Sequence, residues 1–189
     1  MMMKIFVKNE KNGEVGNNMD RKSTTQFLSN LLIASRLNQR SVYWASEVTL
    51  DHCSKHPKRV DYMQFKPENQ CTVSGLEKGI FICYEVKSCK DDFHSGNGLN
   101  YEGDKNYIVT TMQCYKDIVN EIPYSVGVMV AVPNNKETLD EFDNPTPVPK
   151  QWNSDIPMQW EYRIISRARL KNRKRSITEL LFCMLRSGR

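Results

Sequence analysis

Apolar side chains recur along this chain with two different periods. Phe27, Leu28, Leu31 and Leu32, with Ser35 on the same stripe, follow the i, i+3, i+4 spacing of a helix. That spacing predicts a helix from Ser23 or Thr24 to about Asn38, with its apolar face on a sheet. Residues 41–50 (SVYWASEVTL) are rich instead in β-branched and aromatic side chains and read as a first strand. Alternation along it sends Tyr43, Ala45, Glu47 and Thr49 to one face and Trp44, Ser46, Val48 and Leu50 to the other. Residues 59–65 (RVDYMQF) read as a second strand, closed by Lys66-Pro67-Glu68-Asn69. Residues 79–87 (GIFICYEVK) read as a third, apolar enough to be covered on both faces at the centre of a sheet.

Beyond the third strand, residues 88–104 are polar and carry Gly96, Gly98 and Gly103. They predict a long loop of the kind that is functional or mobile. Residues 107–119 then read as a helix, 125–132 (SVGVMVAV) as a buried fourth strand, and 140–155, with three prolines, as an irregular excursion. Residues 160–170 alternate as a further strand, and Ser176-Ile177-Thr178-Glu179 forms a capping box that opens a last helix to about Arg186. This order predicts an α/β fold, a central mixed β-sheet flanked by helices. Residues 1–22 are polar and aperiodic and read as a flexible leader ahead of a single domain over 23–189 with a basic C-terminal strand and helix.

Composition narrows the function. With 39% hydrophobic and 26% charged residues in 189, the chain is ordinary globular material for one domain. It has no apolar run of the roughly 18 residues a membrane span needs, and no signal-peptide core, so a cytoplasmic protein without a membrane partner is expected. The six cysteines include no C-x-x-C pair, which excludes a zinc ribbon or a thioredoxin-like motif, and His52, Cys53, His56 and Cys71 match no standard zinc spacing. Charge changes the picture more. The formal net charge is +5, and Arg163, Arg167, Arg169, Lys171, Arg173, Lys174 and Arg175 follow one another with no acid between them. Such a run is either a solvated face or a surface that contacts nucleic-acid phosphates. Trp44, Trp152, Trp160 and Tyr101 are candidates for base stacking or, equally simply, for the core.

The candidate chemistry lies at the end of the third strand. Glu85 and Lys87 are two residues apart and so share a face, while Val86 points to the other. If residues 59–65 pair antiparallel with 79–87, Asp61 comes to lie beside Glu85. Two adjacent carboxylates repel unless a divalent cation sits between them. Mg2+ (or Mn2+) suits such ligands, with the Val86 carbonyl and a phosphate oxygen completing the shell. Lys87 would hold or help deprotonate the attacking water, and Glu47 would bind a second metal or position that water. Lys105, in the loop, would touch phosphate. An acid-x-Lys triplet at a strand end is commonly only a solvated rim; here a central strand, an upstream acid and a glycine-rich loop accompany it.

These residues carry a resemblance. The order helix, strand with Glu47, strand with Asp61, strand with Glu85-x-Lys87, helix, strand resembles the restriction-endonuclease-like core of the PD-(D/E)XK nuclease superfamily. More narrowly, EVKSCKDDF (85–93), followed by Asp104-Lys105, Tyr107, Cys114 and VGVMVAVP (126–133), is similar to the MmcB family of DNA-repair proteins. The likeness covers about residues 24–133. Val60 stands where that superfamily often has proline, and the segment between Phe93 and Lys105 is longer than the family pattern. The resemblance implies Asp61, Glu85 and Lys87 as catalytic residues, Asp61, Glu85 and Val86 as metal ligands, and DNA as partner. The expected activity is metal-dependent hydrolysis of DNA phosphodiester bonds, by an endonuclease or a nuclease-like repair protein. The alternative is a catalytically silent protein of this fold, from a phage or mobile element, that binds DNA or inhibits a host nucleic-acid-guided protein complex. A protein-binding module built on residues 96–103 is a third reading, which leaves the basic run unexplained.

Overall fold

The computed structural model describes residues 13–187. The chain opens with α1 (Gly13–Leu32), which widens into a π-helical turn (Ile33–Leu37), followed by β1 (Tyr43–Leu50) and β2 (Lys58–Lys66). A short α2 (Val73–Glu77) leads into β3 (Ile80–Lys87) and α3 (Lys90–His94). Then come β4 (Lys105–Thr111), α4 (Met112–Ile118) and β5 (Gly127–Pro133). The chain continues with α5 (Thr138–Asp143), α6 (Ile156–Gln159), β6 (Trp160–Ser166) and α7 (Ile177–Ser187).

The six strands of the described residues join one sheet in the order β1-β2-β3-β4-β5-β6. β3, β4 and β5 run parallel, because α3 and α4 carry the chain back between them, and the remaining pairs are antiparallel. The fold is therefore α/β, a mixed sheet flanked by helices, as the pattern of elements predicts. On one face Phe27, Leu28, Leu31 and Leu32 of α1 pack against Tyr84, Val86, Val109, Met129 and Trp160. The Tyr162 hydroxyl pins this helix by donating to the Leu28 carbonyl at 2.6 Å. On the other face Leu180, Cys183 and Met184 of α7 cover β1 to β3. Cys114 and Ile118 of α4 meet Ile108, and Met112 meets Val128, Val130 and Val132, over β4 and β5. Among the described residues no helix is long and apolar enough to cross a membrane.

Five expectations need correction. The first helix begins at Gly13, upstream of Ser23, so only residues 1–12 of the expected leader lie outside the described residues. The expected helix over 107–119 is a strand followed by a shorter helix. The β-branched run Ile108, Val109, Thr110, Thr111 favours β4, and the Thr111 hydroxyl then caps α4 by accepting the Cys114 N–H at 3.2 Å. The stretch over 140–155 contains most of α5, and the 88–104 loop contains α3. Finally, β6 ends at Ser166, where its register to β5 slips by one residue, and the segment beyond it follows an irregular path to α7.

Candidate functional site

β2 and β3 pair from Tyr62↔Tyr84 to Lys66↔Ile80, and the ladder stops there. Just past its end Asp61 turns its carboxylate across to β3, and Oδ2 accepts the Val86 N–H at 2.8 Å. The cause lies one strand further out. β1 and β2 keep one register along their length, yet Glu47 and Asp61, which that register places opposite each other, do not pair, and Glu47 adopts φ = 52°. At this point both strands lose their alternation. Ala45 and Val48 lie in one cluster under α7, and so do Val60 and Met63, each pair three residues apart. The alternating face assignment expected for 41–50 therefore fails beyond Ala45, because Glu47 takes a left-handed conformation and adds a residue to the repeat. Asp61, at the matching point of β2, is thereby freed from the alternation and aims at the end of β3.

Glu85 and Lys87 are 1% and 3% exposed. The loop after α3 closes over them. The Lys87 ammonium donates to the Asn97 carbonyl, and the Lys87 carbonyl accepts the Thr110 hydroxyl at 2.6 Å. Gly98, at φ = 78°, presses its backbone against the pair so closely that a Cβ there would stand 2.5 Å from Glu85 Oε2 and 3.7 Å from Lys87 Nζ. Only glycine supplies both that conformation and that approach. Among the described residues, the buried side-chain polar atoms without a hydrogen-bond partner are Glu85 Oε1, Glu85 Oε2 and the Tyr101 hydroxyl. Buried polar atoms are nearly always paired, which sets these three apart from the rest of the interior.

Electrostatics point the same way. Burial, reinforced by the charge of Asp61 and opposed by Lys87, pushes the Glu85 carboxyl up to about 9. Burial also raises Asp61, against the Val86 N–H and the Lys87 charge, which favour its anion. Two carboxyls that resist ionisation side by side, one with both oxygens unpartnered, fit a hard divalent cation in donor type. The protein would supply few ligands beyond them, since among the described residues no group of three or more His, Cys, Asp and Glu side chains could hold a metal. Glu47 is not drawn into the pair. It is 57% exposed and ion-paired with Arg59 at 2.8 Å, on the wall of a cavity of about 610 Å3. Arg21, Thr25 and Ser29 of α1 line this cavity together with Lys58, Arg59 and Asp61 of β2, Val86 and Lys87 of β3, and Asn97, Gly98 and Asn100 of the loop.

The basic run has a different environment from the one expected of an open phosphate track. Arg173 binds both oxygens of Asp104, at 3.0 and 3.1 Å, and Asp104 in turn accepts the Phe81 N–H at 2.8 Å. Arg175 holds Asp51 through two hydrogen bonds, at 2.7 and 3.0 Å, and reaches Glu102 and Glu179. The Lys171 ammonium donates to the Tyr101 carbonyl. These three residues thus clasp the far end of the loop, residues 101–104. Arg163 pairs with Glu161 at 2.7 Å, and Arg169 stacks on the Tyr124 ring at 3.4 Å. Arg167, Arg169 and Lys174 remain exposed. Lys105 opens β4 opposite Ile82, outside the residues that line the cavity. The tryptophans serve the core, where Trp160 meets Phe27 edge-on at 5.2 Å, Trp152 packs at 6.4 Å from Phe27, and Trp44 leans on Tyr62.

The sequence names Glu47, Asp61, Glu85, Val86 and Lys87 in and beside this cavity and does not point to Arg21, Thr25, Ser29, Lys58, Arg59, Asn97 and Asn100. For the first three a pattern was available: they sit at i, i+4 and i+8 of the helix whose apolar stripe is Leu28, Leu31 and Leu32. The loop residues follow no period at all.

No protein-family model matches the chain, and no curated protein matches it either. Among solved structures, a protein of unknown function from Silicibacter pomeroyi is similar in fold, with a TM-score of 0.51 at 14% identity over 86% of this chain and 84% of that one.

Proposed function

We propose that this protein is a divalent-metal-dependent nuclease that hydrolyses DNA phosphodiester bonds at the Asp61–Glu85–Lys87 site. The observation that carries the reading is the Glu85 carboxyl, buried beside Asp61 with neither oxygen in a hydrogen bond of normal geometry, although the Asp61 N–H lies close enough to favour its anion. Such a group at a strand end beside a second carboxyl fits a site that a cation or reacting oxygen completes. Asp61 and Glu85 would hold Mg2+ or Mn2+, with substrate oxygen and the Val86 carbonyl filling the shell. When bound, the metal supplies a more acidic water and shields charge at phosphorus. Asp61 keeps its carboxylate in place through the Val86 N–H. Lys87 exchanges the Asn97 carbonyl for the attacking water or a phosphate oxygen and holds it as a compact ammonium donor. The surrounding loop excludes bulk water, which strengthens both roles.

One observation favours a second reading. The loop meets both working groups, with Gly98 on Glu85 and the Asn97 carbonyl on Lys87, as expected if the fold binds DNA without cutting it. Incubation of wild type and Lys87→Ala with supercoiled, linear and single-stranded DNA, in Mg2+, Mn2+ or chelator, separates the two. Nuclease function requires metal-dependent cleavage by wild type and a loss on the order of a hundredfold or more in Lys87→Ala, with DNA affinity retained. Binding without cleavage in either metal removes the enzyme and leaves the binder.

A further inference from the structure

Three cations stand in the cavity wall at the mouth of the site: Arg21 from α1, and Lys58 and Arg59 from the start of β2. Each is held by one acid, Arg21 by Asp92 at 2.6 Å, Lys58 by Glu102 at 2.6 Å and Arg59 by Glu47 at 2.8 Å. The three side chains remain 43%, 43% and 63% exposed, so an anion entering the cavity can reach them.

What distinguishes these pairs is that their acids do not depend on them. Asp92 also accepts the Ser88 N–H at 3.1 Å and its hydroxyl at 3.2 Å. Glu102 also accepts Arg175 at 3.3 Å. Glu47 is 57% exposed and is solvated when released. Exchanging the acid for a phosphate therefore leaves Asp92 with two hydrogen bonds, Glu102 with Arg175 and Glu47 with water, although the Asp92 and Glu102 side chains are 14% and 10% exposed. Arg173 is the opposite case, because withdrawing it would leave Asp104, 5% exposed, without its cation.

We propose that Arg21, Lys58 and Arg59 form the phosphate-binding wall of the site. They grip the sugar-phosphate backbone of a DNA strand by letting go of Asp92, Glu102 and Glu47, while Lys171, Arg173 and Arg175 serve as the internal clasp of the loop. This assignment rests on the nuclease reading of the same cavity. It places the cations beside Lys87 and Asp61, where a scissile phosphate must lie, and leaves Arg167, Lys174 and, on its Tyr124 stack, Arg169 as the exposed residues of the basic run that could meet DNA from outside.

Fluorescence anisotropy with labelled duplex and single-stranded DNA in EDTA, over a range of salt, reads the number of phosphates each surface neutralises. Each lost contact lowers the slope of log affinity against log salt by about 0.9 on duplex and about 0.7 on a single strand. The combined Arg21→Gln, Lys58→Gln and Arg59→Gln variant is expected to lose roughly 2 to 3 units of slope and at least tenfold in affinity at low salt. The single Arg59→Gln variant, at the most exposed of the three positions, is expected to lose close to one unit and decides the matter should the combined variant melt in circular dichroism. A wild-type slope in Arg59→Gln or the combined variant, or a larger loss in Arg167→Gln, Arg169→Gln and Lys174→Gln together, overturns the assignment while the nuclease reading stands. Wild type that binds neither DNA overturns both.

Discussion

Replacing Glu85 by glutamine asks whether its carboxyl carries a proton when no metal is present. The side chain is 1% exposed, and burial, aided by Asp61 and opposed by Lys87, pushes its pKa up to about 9. In the unfolded chain it titrates near its ordinary value of about 4.3. Between those two values the folded protein keeps a proton that the unfolded chain has released. The stabilisation is therefore fully present below about pH 4 and is lost as pH rises through about 9. The slope is about 1.4 kcal/mol per pH unit, so metal-free wild type loses up to about 4 kcal/mol between pH 5 and 8. That is a large share of the ~5–15 kcal/mol that holds a domain together. Glutamine has nearly the same shape and does not titrate, so Glu85→Gln should be flatter by that amount. Urea melts in EDTA from pH 5 to 9, followed by tryptophan fluorescence, measure both profiles. Mn2+ added at pH 8 should restore wild type and leave the variant unchanged. A wild-type profile that is level over this range, or parallel to that of Glu85→Gln, refutes the reasoning.

Gly98→Ala forces a Cβ to 2.5 Å from Glu85 Oε2 at φ = 78°, and should cost about 2–4 kcal/mol in urea melts; unchanged stability would show that the loop does not rest on the site. Asp104→Ala leaves the Phe81 N–H without its acceptor and Arg173 with the Gly79 carbonyl at 3.3 Å in place of a carboxylate, and should cost about 2–4 kcal/mol, measured the same way. Tyr162→Phe removes only the 2.6 Å bond to the Leu28 carbonyl and should cost about 1 kcal/mol. Asp61→Asn should keep the fold but abolish Mn2+ binding in calorimetry, since one carboxylate is too little for a weakly held hard cation; unchanged binding would remove Asp61 from the site.

The chain declares its sheet more readily than its cover. β3 is legible because GIFICYEVK has no other use than a buried strand, and its i, i+2 geometry places Glu85 and Lys87 together without any tertiary knowledge. Asp61 is legible because residues 59–65 and 79–87 both read as strands and, as antiparallel neighbours, bring it beside Glu85. β4 is not, since Tyr107, Ile108 and Val109 suit either period, and only pairing with β3 on one side and β5 on the other decides. The fate of Arg173 and Arg175 is likewise invisible: their acids Asp104, Glu102 and Asp51 are roughly seventy or more residues away in sequence, and a run of one sign reads as solvated until its partners are located. The paired irregularity at Glu47 and Asp61 is hidden for a similar reason. It exists only as an agreement between two strands.

The clasp of Lys171, Arg173 and Arg175 on residues 101–104 also sets an order in time. Synthesis delivers Asp61, Glu85 and Lys87 long before it delivers Lys171, at a pace of about 5–20 residues per second. Until then Glu102 has Lys58 alone, Asp104 has the Phe81 N–H alone, and the Tyr101 carbonyl lacks its ammonium donor. A nascent chain that stops short of residue 171 carries every acid of the cavity and, at the far end of the loop, Lys58 on Glu102 without Lys171, Arg173 or Arg175. Fastening of the far end of the loop, residues 101–104, thus waits on the segment between β6 and α7, whereas the contacts of Asn97 and Gly98 with Lys87 and Glu85 are made within the earlier part of the chain.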